Sequence, residues 1–142
     1  MPAFTVNAPG AAGGNGVSAQ LEWRCADYGN STSPRYLYAW NNTAGANVSL
    51  VFSEQLLPPI SGTLRNLRVT ADAIGSQAVY TILVSGVATA LTVTLAHGAT
   101  SGADTLHSVT VAPTDVVSCQ TITTAVEAGN VFPSAAVDFV TS

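Results

Sequence analysis

The chain has 142 residues, 47% of them hydrophobic and only 8% charged, with a formal net charge of −4. That length suffices for one domain with one core, and the charged share is about a third of the ~25% usual in soluble proteins. Lysine is absent and the basic residues are Arg24, Arg35, Arg65 and Arg68, too few to displace counterions from a phosphate backbone, which excludes nucleic acid as a partner.

A surface so short of ions must be built from Ser, Thr, Asn, Gln and small apolar side chains. Such surfaces associate readily, because few charges resist desolvation at a contact. The composition therefore points toward an assembly.

Residues 1–16 carry Pro2, Pro9 and a glycine-rich run from Gly10 to Gly16, which reads as a flexible N-terminal arm. No Gly-Lys-Ser/Thr follows, so the run is not a phosphate loop. Phe4 and Val6 are the apolar pair of a segment that either docks on a neighbour or frays as a chain terminus. No basic stretch precedes an apolar run, so no secretory signal is expected.

Residues 17–142 read as a single domain. Val17, Ala19, Leu21 and Trp23 alternate with Ser18, Gln20 and Glu22 as a half-buried strand. After a polar turn, Tyr36, Tyr38 and Trp40 share one face of a second strand. Such a stripe is either core or subunit interface, or a platform for glycan rings. Val48, Leu50 and Phe52 form the inward set of the next strand, which ends at Glu54. Leu67, Val69 and Ala71 then face inward with Arg68 and Thr70 outward. The 78–84 strand is apolar on both faces and ends in a Ser85-Gly86 hairpin turn. Leu91, Val93 and Leu95 oppose Thr92 and Thr94; residues 96–105 read as a loop; Val109 and Val111 oppose Ser108 and Thr110. A β-branched strand over 116–124 and a last strand holding Val137 and Phe139 complete the chain. The uncharged 78–96 window is long enough to span a membrane, but its Thr, Ser and Gly content and period-two alternation mark strands, so no membrane is expected as a partner. The expectation is an all-β protein, an antiparallel β-sandwich of about eight to nine strands with jelly-roll-like spacing.

Chemistry-bearing residues are few. Cys25 and Cys119 have no zinc-ligand spacing and either pair or stay free. His97, Ser101, Asp104 and His107 supply the residue types of a catalytic triad, but no Gly-x-Ser-x-Gly elbow surrounds Ser101. Asp104 suits a loop by capping its own backbone amides. Two histidines and one aspartate fall short of a four-ligand structural metal site, so neither metal nor cofactor is expected. The carboxylates are scattered along the chain rather than paired as glycoside hydrolysis requires. In a chain so poor in ions, Arg65 and Arg68 are each expected to have a designated carboxylate, within the subunit or across an interface.

The 62–118 block resembles a jelly-roll module of tailed-bacteriophage virion proteins. The resemblance is carried by Gly62-Thr63-Leu64-Arg65-Asn66-Leu67-Arg68-Val69, by the Val84-Ser85-Gly86-Val87-Ala88-Thr89-Ala90-Leu91-Thr92-Val93-Thr94 hairpin, and by Ala99-Thr100-Ser101-Gly102-Ala103-Asp104-Thr105-Leu106-His107-Ser108-Val109-Thr110-Val111. The family often has Asn-Gly where this chain has Ser85-Gly86. These are turn and strand signals, specific for fold more than for function. The resemblance implies a small β-domain that assembles, usually as a homotrimer, on the head or tail surface of a virion built in the host cytoplasm. It implies no catalytic residues. The expected role is a non-enzymatic capsid decoration protein whose partners are its own copies and the major capsid protein or another virion protein; the alternative is a tail or fibre module that recognises host-surface glycans. Candidate contact residues are Phe4, Val6, Trp23, Tyr36, Tyr38, Trp40, Arg65 and Arg68.

Overall fold

A computed structural model of the chain describes residues 19–25, 28–29, 31–39, 49–50, 53–56, 60–72, 75–125 and 130–142. Among them are eleven strands and no α-helix. In chain order they are β1 (Ala19–Arg24), β2 (Tyr28–Gly29), β3 (Arg35–Tyr36), β4 (Gln55–Leu56), β5 (Gly62–Thr70), β6 (Ala78–Val84), β7 (Val87–Leu95), β8 (Ser101–Val111), β9 (Val116–Thr123), β10 (Asn130–Val131) and β11 (Ser134–Thr141).

One sheet runs β1-β11-β5-β8; the other runs β3-β9-β6-β7, with β4 also on β9; β10 and β2 form a separate ribbon. Every pairing is antiparallel. With β3 and β4 taken as two pieces of one edge, the facing sheets hold four strands each. Apart from the β6–β7 hairpin, each successive main strand enters the opposite sheet. That winding is the jelly roll, two Greek keys folded face to face, and the expected antiparallel β-sandwich is the fold the chain adopts.

Period two places the core. Ala19, Leu21 and Trp23 of β1, Leu64, Leu67 and Val69 of β5, and Val137 and Phe139 of β11 line one inner face. Tyr80 and Ile82 of β6, Leu91, Val93 and Leu95 of β7, and Val117 and Cys119 of β9 line the other. Each fully buried large side chain contributes about 1.5–3 kcal/mol relative to exposure. Leu83 is buried on the opposite face of β6, as its two-sided apolar pattern predicts. Cys25 and Cys119 are both buried free thiols, and burial pushes the Cys119 thiol well above the usual range.

Alternation breaks once in β5, for a visible reason. Gly62 and Leu64 point inward before the break and Leu67 and Val69 after it. Asn66 has φ 57°, and the register against β8 and β11 shifts beside it. This is a β-bulge, with asparagine in the left-handed conformation it tolerates better than most residues.

Three expected elements differ. Leu50 lies in a tight turn closed by Ser53 N–H donating to the Leu50 carbonyl (2.9 Å), and among the described residues of this stretch pairing begins at Gln55; Val48 and Phe52 lie outside the described residues. That turn carries Ser53 into β9, where its hydroxyl accepts from Cys119 N–H (3.0 Å) and donates to the Cys119 carbonyl (3.3 Å). The aromatic strand stops at Tyr36: Leu37 N–H donates to the Cys119 carbonyl and Tyr38 bridges Arg24. Leu37, Tyr38 and Ala39 are all buried, so the segment does not offer alternate faces. The third difference is at residues 101–105, expected in a loop, which open β8 with Ser101 paired to Thr70. As an exposed edge strand rich in Ser, Gly and Thr, this stretch lacks the apolar alternation that reveals half-buried strands.

The Ser85-Gly86 turn is as predicted. Val84 pairs with Val87, and φ is 48° at Ser85 and 81° at Gly86, the positive pair of a type I′ hairpin. A Cβ on Gly86 would meet only the Leu50 Cδ2 at 3.6 Å, so space is available and φ alone is the obstacle. Gly86→Ala is therefore expected to lower stability by about 1 kcal/mol, measured by chemical denaturation with an unchanged m-value.

Candidate functional site

One cluster of polar and titratable groups lies where the sandwich closes at β7 and β8, the edge strands of opposite sheets. Both strands bulge there. Against β6, the register of β7 jumps from Thr81↔Thr92 to Leu83↔Ala88, and Thr89 Oγ1 donates to the Ile82 carbonyl (2.8 Å) while accepting from Leu91 N–H (3.2 Å). Against β5, the register of β8 jumps from Leu67↔Asp104 to Arg65↔Ser108, which throws Thr105, Leu106 and His107 outward. Gly102 permits the close approach of the two strands. A Cβ there would stand 2.8 Å from Val93 Cγ1 and 2.9 Å from Leu95 Cδ2, too near for any other residue without a shift.

Asp104 holds this corner together. Its side chain is buried. Oδ2 accepts from Thr92 N–H of β7 (3.1 Å) and Oδ1 from the N–H groups of Leu106 and His107 (3.1 Å each). The His107 ring adds a contact from Nδ1 to Oδ2 at 2.9 Å, which places the Nδ1 proton toward the carboxylate. One carboxylate thus ties β7 to β8 across the two sheets and fixes the bulge backbone. Burial alone would raise the Asp104 pKa; the amides of His107 and Thr92, the His107 ring and the Leu106 amide outweigh it and hold the carboxyl down at about 2. Capping of its own loop, expected from sequence, is half of this role; the bond to β7 is the half that spacing along the chain could not reveal.

The aspartate–histidine contact is the nearest the described residues come to catalytic geometry. Ser101 sits at the far end of β8, paired with Thr70, and His97 lies exposed in the β7–β8 turn, so the four candidate triad residues do not converge. No group of three or more metal-ligating side chains occurs among the described residues. What the corner does present is a shallow recess of about 340 Å³, lined by Thr92, Ala103, Asp104, Thr105, Leu106 and His107. Leu106 projects beside it, 90% exposed. Sequence reasoning passes over Leu106, which falls between the 96–105 stretch read as a loop and the strand marked by Val109 and Val111; the bulge after Asp104 is what the letters do not show.

A second polar cluster lies on the outer face of the first sheet. Arg68 grips Asp138 with two nitrogens, at 2.7 and 3.3 Å, and Asn66 Nδ2 donates to the same carboxylate at 3.0 Å. Burial raises the Asp138 pKa, but Arg68 and Asn66 outweigh it and leave it below the usual carboxylate range. With the Gln20 amide oxygen turned to the guanidinium, its nitrogen donates to Glu22 Oε1 at 3.1 Å, so every polar group in the row meets an opposite partner. Arg68 therefore has its designated carboxylate within the chain, and Arg65 stands half-buried on the same strand. The indole of Trp23 is fully enclosed by the core, with Nε1 donating to the Ser53 carbonyl at 2.7 Å, so that ring is not on the surface. Tyr38 is buried, whereas Tyr36 is part-exposed and its hydroxyl accepts from Gln120 Nε2 (3.4 Å). Phe4, Val6 and Trp40 lie outside the described residues.

No family model and no curated protein sequence matches the chain.

The depressed Asp104 pKa makes an acid-stability prediction. The folded-state value lies below the unfolded one, so its stabilisation is complete above about pH 4 and is lost as pH falls through about 2. Asp138 acts in the same direction. Asp104→Asn is expected to cost about 1–2 kcal/mol at neutral pH and to flatten the fall in stability between about pH 4 and 2, followed by thermal unfolding across that range.

Proposed function

We propose that this chain is a non-enzymatic structural protein of a bacteriophage virion, a capsid decoration protein that assembles as a homotrimer on the head surface. The observation that carries an associative role is the outer face of the second sheet. Val79, Thr81, Thr92, Thr94, Gln120 and Ile122 stand outward on β6, β7 and β9, with cross-strand pairs Val79↔Thr94 and Thr81↔Thr92 and a hydroxyl contact of 3.3 Å in the second pair. None of these six side chains is charged. Such a surface gives up little hydration free energy when covered. Assignment to a virion rests on the likeness of the 62–118 block to phage jelly-roll modules, to which the jelly-roll strand order is congenial. Repeated over many copies on a lattice, individually modest contacts hold a shell by multivalency.

The glycan-binding alternative needs accessible rings. Of the aromatic stripe and Trp23, the described members leave only Tyr36 part-exposed, which favours the associative reading.

Two measurements test it. Sedimentation of the purified chain at physiological salt is expected to give a trimer mass. Quantitative mass spectrometry of particles from the organism that encodes the chain is expected to find it in stoichiometric proportion to the major capsid protein. Its absence from such particles overturns the virion assignment.

A further inference from the structure

We infer that the β7–β8 corner is a self-contact surface, where Leu106 of one copy seats in the Thr92–His107 recess of another. The inference deepens the associative reading above and rests on it. Its occupant is a second copy of this chain.

Three observations carry it. First, Leu106 is a pre-formed anchor rather than a loose side chain. It is the most exposed of the large apolar residues described, at 90%, yet its backbone is fixed, because its own N–H and that of His107 both donate to the buried Asp104. An apolar side chain presented on a rigid turn loses little entropy on docking. Second, projection and recess lie side by side on one patch, so three copies meeting at a three-fold axis can each seat Leu106 in the recess of the next and close a ring. At about 340 Å³ the recess exceeds the ~150 Å³ cavity that accepts a benzene ring, ample for a leucine side chain.

The third observation is charge. Asp104 and His107 are the only titratable groups lining the recess, and they meet each other at 2.9 Å. The adjoining Val79, Thr81, Thr92 and Thr94 carry none. Two copies joined here bring no exposed carboxylates together, because the Asp104 side chain is buried and its oxygens are taken up by the Thr92, Leu106 and His107 amides. A basic or acidic partner would find no free counter-charge on the patch to pair with. A neutral, hydroxyl-bearing and apolar surface matches it, and this corner is itself such a surface.

The test compares wild type, Leu106→Asp and Phe132→Asp by sedimentation equilibrium over a concentration series. Phe132 is also exposed, at 52%, but precedes β11 and lies off the patch, so it serves as the control. Both side chains are solvent-facing, and thermal unfolding verifies that both variants stay folded. The expected result is self-association of wild type and Phe132→Asp, with Leu106→Asp weakened at least ~10-fold, the equivalent of about 1.4 kcal/mol. Equal masses for wild type and Leu106→Asp at every concentration, whether both assembled or both monomeric, overturn the inference. So does equal weakening by the two variants. Failure of the virion reading is separately visible: self-association that depends on Leu106 in a chain absent from particles leaves this surface standing and removes only its setting.

Discussion

A two-sheet sandwich depends on closing its flanks, because every backbone amide and carbonyl that loses water at an edge strand needs another partner. This chain meets that demand with buried polar residues on both flanks. On the β7–β8 flank it is Asp104, whose carboxylate takes amides from both strands. On the flank where β1 meets the split β3/β4 edge they are Ser53, whose carbonyl accepts the Trp23 indole of β1 and whose hydroxyl occupies the Cys119 backbone of β9, and Gln55, whose Nε2 donates to the Glu22 carbonyl of β1 (2.6 Å). The apolar core between the sheets supplies most of the driving force, and these three residues help fix how the sheets meet.

The same closures explain the irregularities. The edge beside β9 is split into β3 and β4 because Ser53 stands in at Cys119, between residues paired to β3 at Gln120 and Thr121 and to β4 at Val116 and Val117. The bulges of β7 and β8 face each other because Asp104 reaches Thr92 only where both strands bend. Leu106 owes its exposure to that geometry. The candidate site is thus a by-product of how the sandwich is sealed, and its rigidity follows from the carboxylate beneath it.

Sequence conveyed the parts of this fold that follow from periodicity. Inward sets such as Ala19, Leu21 and Trp23, or Leu91, Val93 and Leu95, are visible because one face of the strand is apolar and the other polar. The hairpin at Ser85-Gly86 was legible from its glycine, and the Asp104 cap from the habit of aspartate in turns. Illegible were the points where a side chain replaces a backbone partner or a bulge resets the phase. Nothing in the letters around Ser53 announces a partner 66 residues away, and Asn66 resembles any polar strand residue until its φ is known. The aromatic stripe misled because Tyr36, Tyr38 and Trp40 keep period two, while Leu37, Tyr38 and Ala39 are all drawn inside by the bridge to Arg24.

The broken edges also bear on the aggregation hazard of a surface with so few charges. Exposed sheet margins are templates for open-ended strand addition, and most proteins guard them with lysine or other charges. This chain has no lysine and few ions of any kind. Its two-residue β3 and β4 are too short to nucleate a foreign strand, and the bulges of β7 and β8 twist the opposite margin out of register. Protection against amyloid-like stacking is thereby written into backbone shape, which leaves the neutral surface free to remain neutral even at high local density.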